Sequence, residues 1–476
     1  MRLNKRLMIW LERLHKYLLW GAVIVLPWQL RQTFLFAYHN GEFFEYASLS
    51  FYLSDIVILS LLVVWVVEIL FAKTKFIWGH KAIIYPMVLW LIWLWVGVLF
   101  ANYSTGNVAV AVLSASHFTL FFGFYLYLIN HIKDIRQLLW PLVVAVFLQS
   151  ILAINQYWLN RSLGWKWLGE SVLHSDEAGI PVVLVNGERQ LRAHGTLPHA
   201  NILGGILAYA TVILLSWYGL IKAHWQQLIV WTIITLSLVA LVLSFSRSAW
   251  LAVILTSAIL LLICIILARQ CHLRAKWWQI VITIGVVLGL VGYQWPAVSS
   301  RFDITQNDIE QESVATRIEQ WEQFKNIYTA VPWFGLGVGQ YTLKLEQDDT
   351  KLFGWHYDAE EAGWEYSLSH QVWDYQPVHN IYLLALAETG AVGGLLLIWL
   401  LLSVLVIGWQ AAWRNRHLLG WGIWLGYATI LIIGVFDHYF WTLQQGRLIL
   451  FLGISLVSIY SINQQLYGRE SIRSHT

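Results

Sequence analysis

The sequence predicts an all-α polytopic membrane protein of about 12 transmembrane helices, and three observations predict it. Of the 476 residues, 58% are hydrophobic and only 12% are charged, where a soluble domain carries about 25% charged residues. Twelve apolar stretches separated by turn signals are each long enough for a bilayer span. Lysine and arginine gather in alternate connecting loops, as the positive-inside bias requires of a chain threaded back and forth. A net charge of only +3 gives no case for a nucleic-acid partner.

In chain order the expected spans cover roughly 17–30, 55–72, 83–101, 108–129, 138–157 and 199–221, then 228–245, 249–268, 278–295, 378–408, 418–436 and 442–460. Met1 to Lys16 is basic and leads into an apolar run with no small-residue cleavage signature, so it reads as a retained first helix. Alternate threading puts both termini in the cytoplasm. Most of the 30 lysines and arginines then face inward against four acids, Glu12, Glu68, Asp134 and Glu470. Cys264 and Cys271 form neither a disulfide framework nor a metal-binding spacing.

One membrane domain over 1–476 therefore carries its long segments on the outer side. Arg31 to Ser54 is rich in aromatics (Phe34, Phe36, Tyr38, Phe43, Phe44, Tyr46) and reads as an interfacial strip. The loop over 158–198 ends in Gly195-Thr-Leu-Pro-His-Ala-Asn201. The segment 296–377, between the ninth and tenth spans, is an extracytoplasmic subdomain expected to be mostly helical. Within it, Arg317, Trp321, Phe324 and Tyr328 share one face of an amphipathic helix from Glu312 to Tyr328. Pro332 and the run Gly335-Leu-Gly-Val-Gly339 end that helix. The run follows no strand and lacks the Lys-Ser/Thr of a P-loop, so it reads as a loop packed on the membrane surface. Asp348, Asp349, Glu360 and Glu361 fit no known cation cage and read as a solvated acidic loop, so no metal and no cofactor are expected.

The candidate chemistry lies where water meets membrane. His379 follows Pro377 at the start of a long apolar run, where the positive end of a helix favours a neutral, proton-accepting imidazole. Such a group suits a general base whose substrate is tethered to a lipid. Arg192 precedes the span near His199, and Arg247 sits in the hinge Leu243-Ser-Phe-Ser-Arg-Ser-Ala-Trp250. Arginine at a membrane boundary is costly unless paired. Arg247 has no acid within ten residues, so its partner comes from elsewhere in the fold or from a ligand. A diphosphate suits, because the guanidinium fork binds phosphate oxygens two at a time. Glu388 falls on the opposite helical face from His379 and cannot orient it, whereas Asp437 and His438 cap the last helix pair.

His379-Asn380, nine residues and Gly390-Ala-Val-Gly393 fit the pattern His-[Asn/Ser/Gln]-x9-Gly-x-x-Gly, and with this the chain resembles the bacterial O-antigen ligases. Related glycan polymerases and protein O-oligosaccharyltransferases share the wider superfamily. Arg192-Ala-His-Gly-Thr-Leu-Pro-His-Ala-Asn201, Ser244-Phe-Ser-Arg-Ser-Ala-Trp250, and Arg317 followed by Pro332-Trp-Phe-Gly-Leu-Gly337 look like its other landmarks, in order. The resemblance implies a GT-C-like architecture in the bacterial inner membrane. It also implies a metal-independent, inverting glycosyltransferase whose partners are an undecaprenyl-diphosphate-linked glycan donor, a lipid or glycan acceptor, and membrane lipids. On that resemblance His379 is the base, Arg192 and Arg317 hold the diphosphate, Arg247 is a third member and Arg301 is a rival for Arg317. His194, His199, Asn201, Asn380 and Asp437 are supporting candidates.

Ligase, polymerase and protein O-glycosylation differ only in the acceptor, and the complete histidine motif favours ligase. A 12-helix transporter is the reading from another class. Transporters place ionisable groups near the midplane and repeat their halves, whereas here those groups lie at the outer boundary and the halves do not match.

Overall fold

The computed structural model describes residues 5–72, 76–177, 179–267, 273–303, 308–349, 354–358, 363–367 and 375–473. The first half contains α1 (Lys5–Val25), α2 (Leu53–Ala72), α3 (Lys81–Ser104), α4 (Val108–His131) and α5 (Arg136–Leu159). The middle holds α6 (Ala200–Tyr218), α7 (His224–Leu243), α8 (Arg247–Ile266) and α9 (Leu273–Tyr293). Next come α10 (Trp295–Ser300), α11 (Asp308–Ala330) and α12 (Tyr341–Asp349). The last part has α13 (Ile381–Asn415), α14 (Leu418–Gly434), α15 (Tyr439–Thr442) and α16 (Gln444–Arg473).

Among the described residues nine helices are long and apolar enough to cross a membrane, and Trp277–Tyr293 and Leu418–Gly434 are shorter apolar helices. The molecule is thus a mostly helical, multi-pass membrane protein. The most apolar windows are not the most buried: α6 and α16 are 89% and 94% buried, while α8, the most apolar, is 33% buried. Lipid tails are as apolar as leucine, so hydropathy marks the spans while small residues decide the centre. Gly422 of α14 lets that helix close onto Ser216 of α6, where an added Cβ would lie 1.9 Å from the hydroxyl.

Several expectations need correction. The first helix begins at Lys5, well before residue 17, and ends at Val25, because its polar residues line a junction. There His15 lies 3.0 Å from Glu68 and Glu68 lies 3.8 Å from His131, tying α1, α2 and α4 together. The aromatic strip after Arg31 is two antiparallel ribbons, β1 (Arg31–Leu35) with β4 (Leu49–Tyr52) and β2 (Tyr38–His39) with β3 (Glu42–Phe43). Two more ribbons pair β5 (Val182–Val185) with β6 (Glu188–Leu191) and β7 (Gly354–Asp358) with β8 (Gly363–Ser367). On α11 the buried stripe is Gln320, Phe324 and Ile327, while Trp321 is half exposed. The amphipathic face is therefore rotated one residue from the one its aromatics suggest. Asp348 pairs with Lys344 at 2.5 Å, and Glu360, Glu361 and Cys271 lie outside the described residues.

The Gly335–Gly339 run does not lie on a surface. It is wedged into a break in α13, where Gly390 adopts φ 65° and ψ −176°. The helix there loses its own hydrogen bonds and the run supplies substitutes. Leu336 N–H donates to Ala387 O (3.1 Å), Gly337 N–H to Glu388 O (2.8 Å), and Ala391 N–H to Pro332 O (2.8 Å). A break inside a membrane helix is tolerated where neighbouring groups satisfy the freed backbone in this way.

Candidate functional site

The residues singled out in the sequence gather at one end of the bundle. The connection between α7 and α8 is three residues long, and Phe245 takes a left-handed φ of 49° to make it. This turn presents the Ser244 carbonyl to Arg192 Nε at 2.8 Å and starts α8 at Arg247. Arg192 is buried; its other end donates to Asn201 Oδ1, and Asn201 in turn donates to Asp437 Oδ1 at 3.1 Å. Ser248 donates to the second Asp437 oxygen at 2.8 Å. The segment before His199 is fixed by two glutamines of α5. Gln156 accepts from the N–H groups of His194 and Gly195, and Gln149 accepts from that of Thr196. His199 caps α6 through Asn201 N–H at 3.0 Å.

Arg247 does have a protein partner. Glu310, buried in the first turn of α11, forms an ion pair with Arg247 at 2.8 Å and accepts a hydrogen bond from Arg301. Arg247 also donates to the Arg301 carbonyl at 2.6 Å. Arg317, further along α11, is exposed. Arg247, Arg301, Arg317, Asn201, Ser248 and Asp437 line one cavity of about 600 Å³ of empty space, with Leu251 and Phe436 on its apolar side. Arg192 is one layer below, holding Asn201. Burial lowers the Arg192 and Arg301 values, Arg301's to about 10, and both stay cationic at neutral pH. Glu310→Gln leaves Arg247 and Arg301 sharing no counter-charge. It is expected to destabilise the protein by about 1–3 kcal/mol, read as a lower melting temperature in detergent.

His379 lies one residue outside α13, because Asn380 is the cap: its side-chain oxygen accepts from Tyr382 N–H at 2.9 Å and Leu383 N–H at 3.0 Å. The imidazole is held by Gln320 Oε1, 2.8 Å from Nδ1. The His379 backbone N–H also points to that oxygen at 3.4 Å, which identifies it as the acceptor. Nδ1 therefore carries the hydrogen, and Nε2 is the basic nitrogen. The ring of His438 meets His379 edge-on with centroids 5.0 Å apart. Burial holds His379 below the ordinary histidine value of 6.5, opposed by Asp437 and reinforced by the Arg317 charge. His194, His199 and His438 are lowered too, by burial first, His194 to about 4. The end of the bundle thus combines neutral imidazoles with a cluster of cations.

The structure brings His379, Asp437, Asn201, Arg247, Arg301 and Arg317 into one neighbourhood and leaves Arg192 and His194 in its buried support. Glu388 faces away, accepting from Trp441 Nε1 at 2.7 Å and Tyr341 N–H at 3.3 Å. Glu310, Gln320, Ser248, Gln149 and Gln156 escaped sequence reasoning.

Residues 232–398 match the family model described as O-antigen ligase, which supports an O-antigen ligase-like superfamily member. The matched stretch contains Arg247, Arg301, Glu310, Arg317, Gln320, His379, Gly390 and Gly393. No curated protein matches the chain.

Proposed function

We propose that this O-antigen ligase-like chain transfers a glycan from undecaprenyl diphosphate to an acceptor hydroxyl, on the outer face of the bacterial cytoplasmic membrane, with inversion and without a metal. In this reading both termini are cytoplasmic, twelve helices cross the membrane, and residues 158–198 and 296–377 lie outside over a single domain, 1–476. The observation that carries the reading is one cavity walled by three arginines whose neighbour is a neutral histidine with Nε2 unpartnered among the described residues.

The diphosphate would sit against Arg247, Arg301 and Arg317, whose charge offsets the negative charge growing on the leaving group. Leu251 opens the same cavity toward the lipid-facing side of α8, where Ile254 and Leu255 are also exposed, a path for the polyprenyl chain. A lipid diphosphate leaves readily, so the poor partner is the acceptor hydroxyl. His379 Nε2 takes its proton as the oxygen attacks the anomeric carbon and the carbon–oxygen bond to diphosphate breaks. Nδ1–H stays on Gln320, which orients the ring and stabilises the imidazolium. Arg192 acts by fixing Asn201 and, through it, Asp437, a positioning role.

In proteoliposomes supplied with a polyprenyl-diphosphate-linked oligosaccharide, a ligase moves glycan once onto an acceptor. A ladder of growing lipid-linked chains would make the protein a polymerase instead. Arg317→Lys and Arg247→Lys are expected to raise donor KM about tenfold, since the two-pronged grip is lost while the charge remains. A donor KM unchanged by Arg317→Ala would remove that residue from the diphosphate site.

A further inference from the structure

A second cavity, about 780 Å³ of empty space, has the segment that follows α14 in its wall. The chain from Phe436 to Gln444 separates the two: Phe436 and Asp437 face the first cavity, and Trp441 to Gln444 face the second. Between them stands His438, edge-on to His379 and bonded through Nδ1 to Thr442 Oγ1 at 2.8 Å. Pro377, two residues before His379, also walls the second cavity. Its far wall is the β1–β4 region, with Tyr46, Tyr52 and the Arg31–Glu45 ion pair.

We infer that this second cavity is the acceptor subsite and that it binds an uncharged pyranose of the acceptor glycan through its hydroxyl groups. The inference rests on the glycosyltransferase reading. An inverting displacement brings the nucleophile opposite the leaving group, so a diphosphate in the first cavity puts the acceptor in the other. Arg447 is 6% exposed; its Nε donates to Trp441 O and its plane lies 4.7 Å over the Phe118 ring. Its two Nη nitrogens, in the cavity wall, have no hydrogen-bond partner among the described residues. Donors that open onto a cavity can meet an acceptor oxygen from a ligand.

Charge decides the class. Arg31 is neutralised by Glu45, and Glu388 and Asp55 lie close enough to act on the Arg447 charge. Asp55 is already taken up by Tyr52 N–H (2.9 Å) and His117 (3.2 Å), as Glu388 is by Trp441 and Tyr341. Carboxylates at least match cations, so an anionic sugar gains no net attraction, whereas hydroxyl oxygens can take the idle N–H groups. Tyr46 and Tyr52, both partly exposed, offer aromatic surface for the apolar face of a sugar ring.

The test uses the full chain in nanodiscs with benzyl glycosides of glucose, galactose, mannose, N-acetylglucosamine and glucuronic acid. Saturation-transfer NMR reads binding, and transfer from a polyprenyl-diphosphate-linked oligosaccharide reads KM. At least one neutral glycoside should bind and outcompete the glucuronide. Arg447→Lys and the less buried Tyr46→Ala should raise acceptor KM about tenfold and leave donor KM within about twofold, Tyr46→Ala at unchanged melting temperature. Binding of no glycoside, preference for the glucuronide, or acceptor KM unmoved in both variants would overturn the subsite while transfer by the wild type persists. Glycoside binding that Arg447→Lys abolishes, in a wild-type protein that transfers nothing, would instead sink the glycosyltransferase reading and leave a sugar site.

Discussion

Replacing His379 by alanine is expected to lower glycan transfer by roughly 10²–10⁴-fold, the usual share of a positioned general base, while the protein keeps its melting temperature. The ring is half-buried and its one strong side-chain bond is to Gln320, so little folding energy depends on it. The pH dependence is a sharper check. Only the neutral ring accepts a proton, and burial places its value below 6.5 despite the opposing charge of Asp437. Protonation therefore sets in only below the ordinary histidine range. Transfer by the wild type should be flat through neutral pH and fall as the pH drops below about 6.5. A rate–pH profile whose acid limb lies above pH 7, or wild-type turnover in His379→Ala, would remove His379 from the base role.

Gly390→Ala should produce a large loss of stability. At φ 65° and ψ −176° the backbone is in a region essentially reserved for glycine, which costs a side chain about 1–3 kcal/mol. The new Cβ would lie 2.2 Å from Trp333 O and 2.5 Å from Phe334 N, both backbone atoms. The loop must retreat, and the three hydrogen bonds that join 332–337 to 387–391 go with it, each worth roughly 0.5–1.5 kcal/mol. Because that loop follows α11, which carries Arg317 and Gln320, the loss should reach the site as well. Melting in detergent and protease sensitivity of 296–377 measure it. Gly289→Ala, on an open face of α9 with nothing within 4 Å, is the control and should be silent.

The glycine positions show what a motif conveys and what it withholds. The pair Gly390 and Gly393 was legible as a pattern beside His379, but its reason is three-dimensional. Gly390 admits the backbone of a loop that also needs glycine: a Cβ on Gly335 would meet Glu388 O at 2.4 Å. Arg247 shows the same division. Its lack of a nearby acid was plain in the chain, and the partner proved to be Glu310, sixty-odd positions on and already shared with Arg301. A pure helical-face argument likewise grouped Trp321 with Phe324, whereas packing buried Gln320, one residue away and on the histidine.

By itself the sequence determined that this chain is a bundle of apolar helices crossing a membrane, and that its histidine and arginines sit at helix ends. Both follow from hydropathy and charge, which are properties of each residue and its near neighbours. Only the tertiary structure decided that Gln320 fixes the proton on Nδ1, that Glu310 joins two arginines, that α13 breaks to admit a loop, and that the segment from Phe436 to Gln444 runs between two cavities. Those are pairings between residues far apart in the chain, chosen by which surfaces pack together, and no local property encodes them.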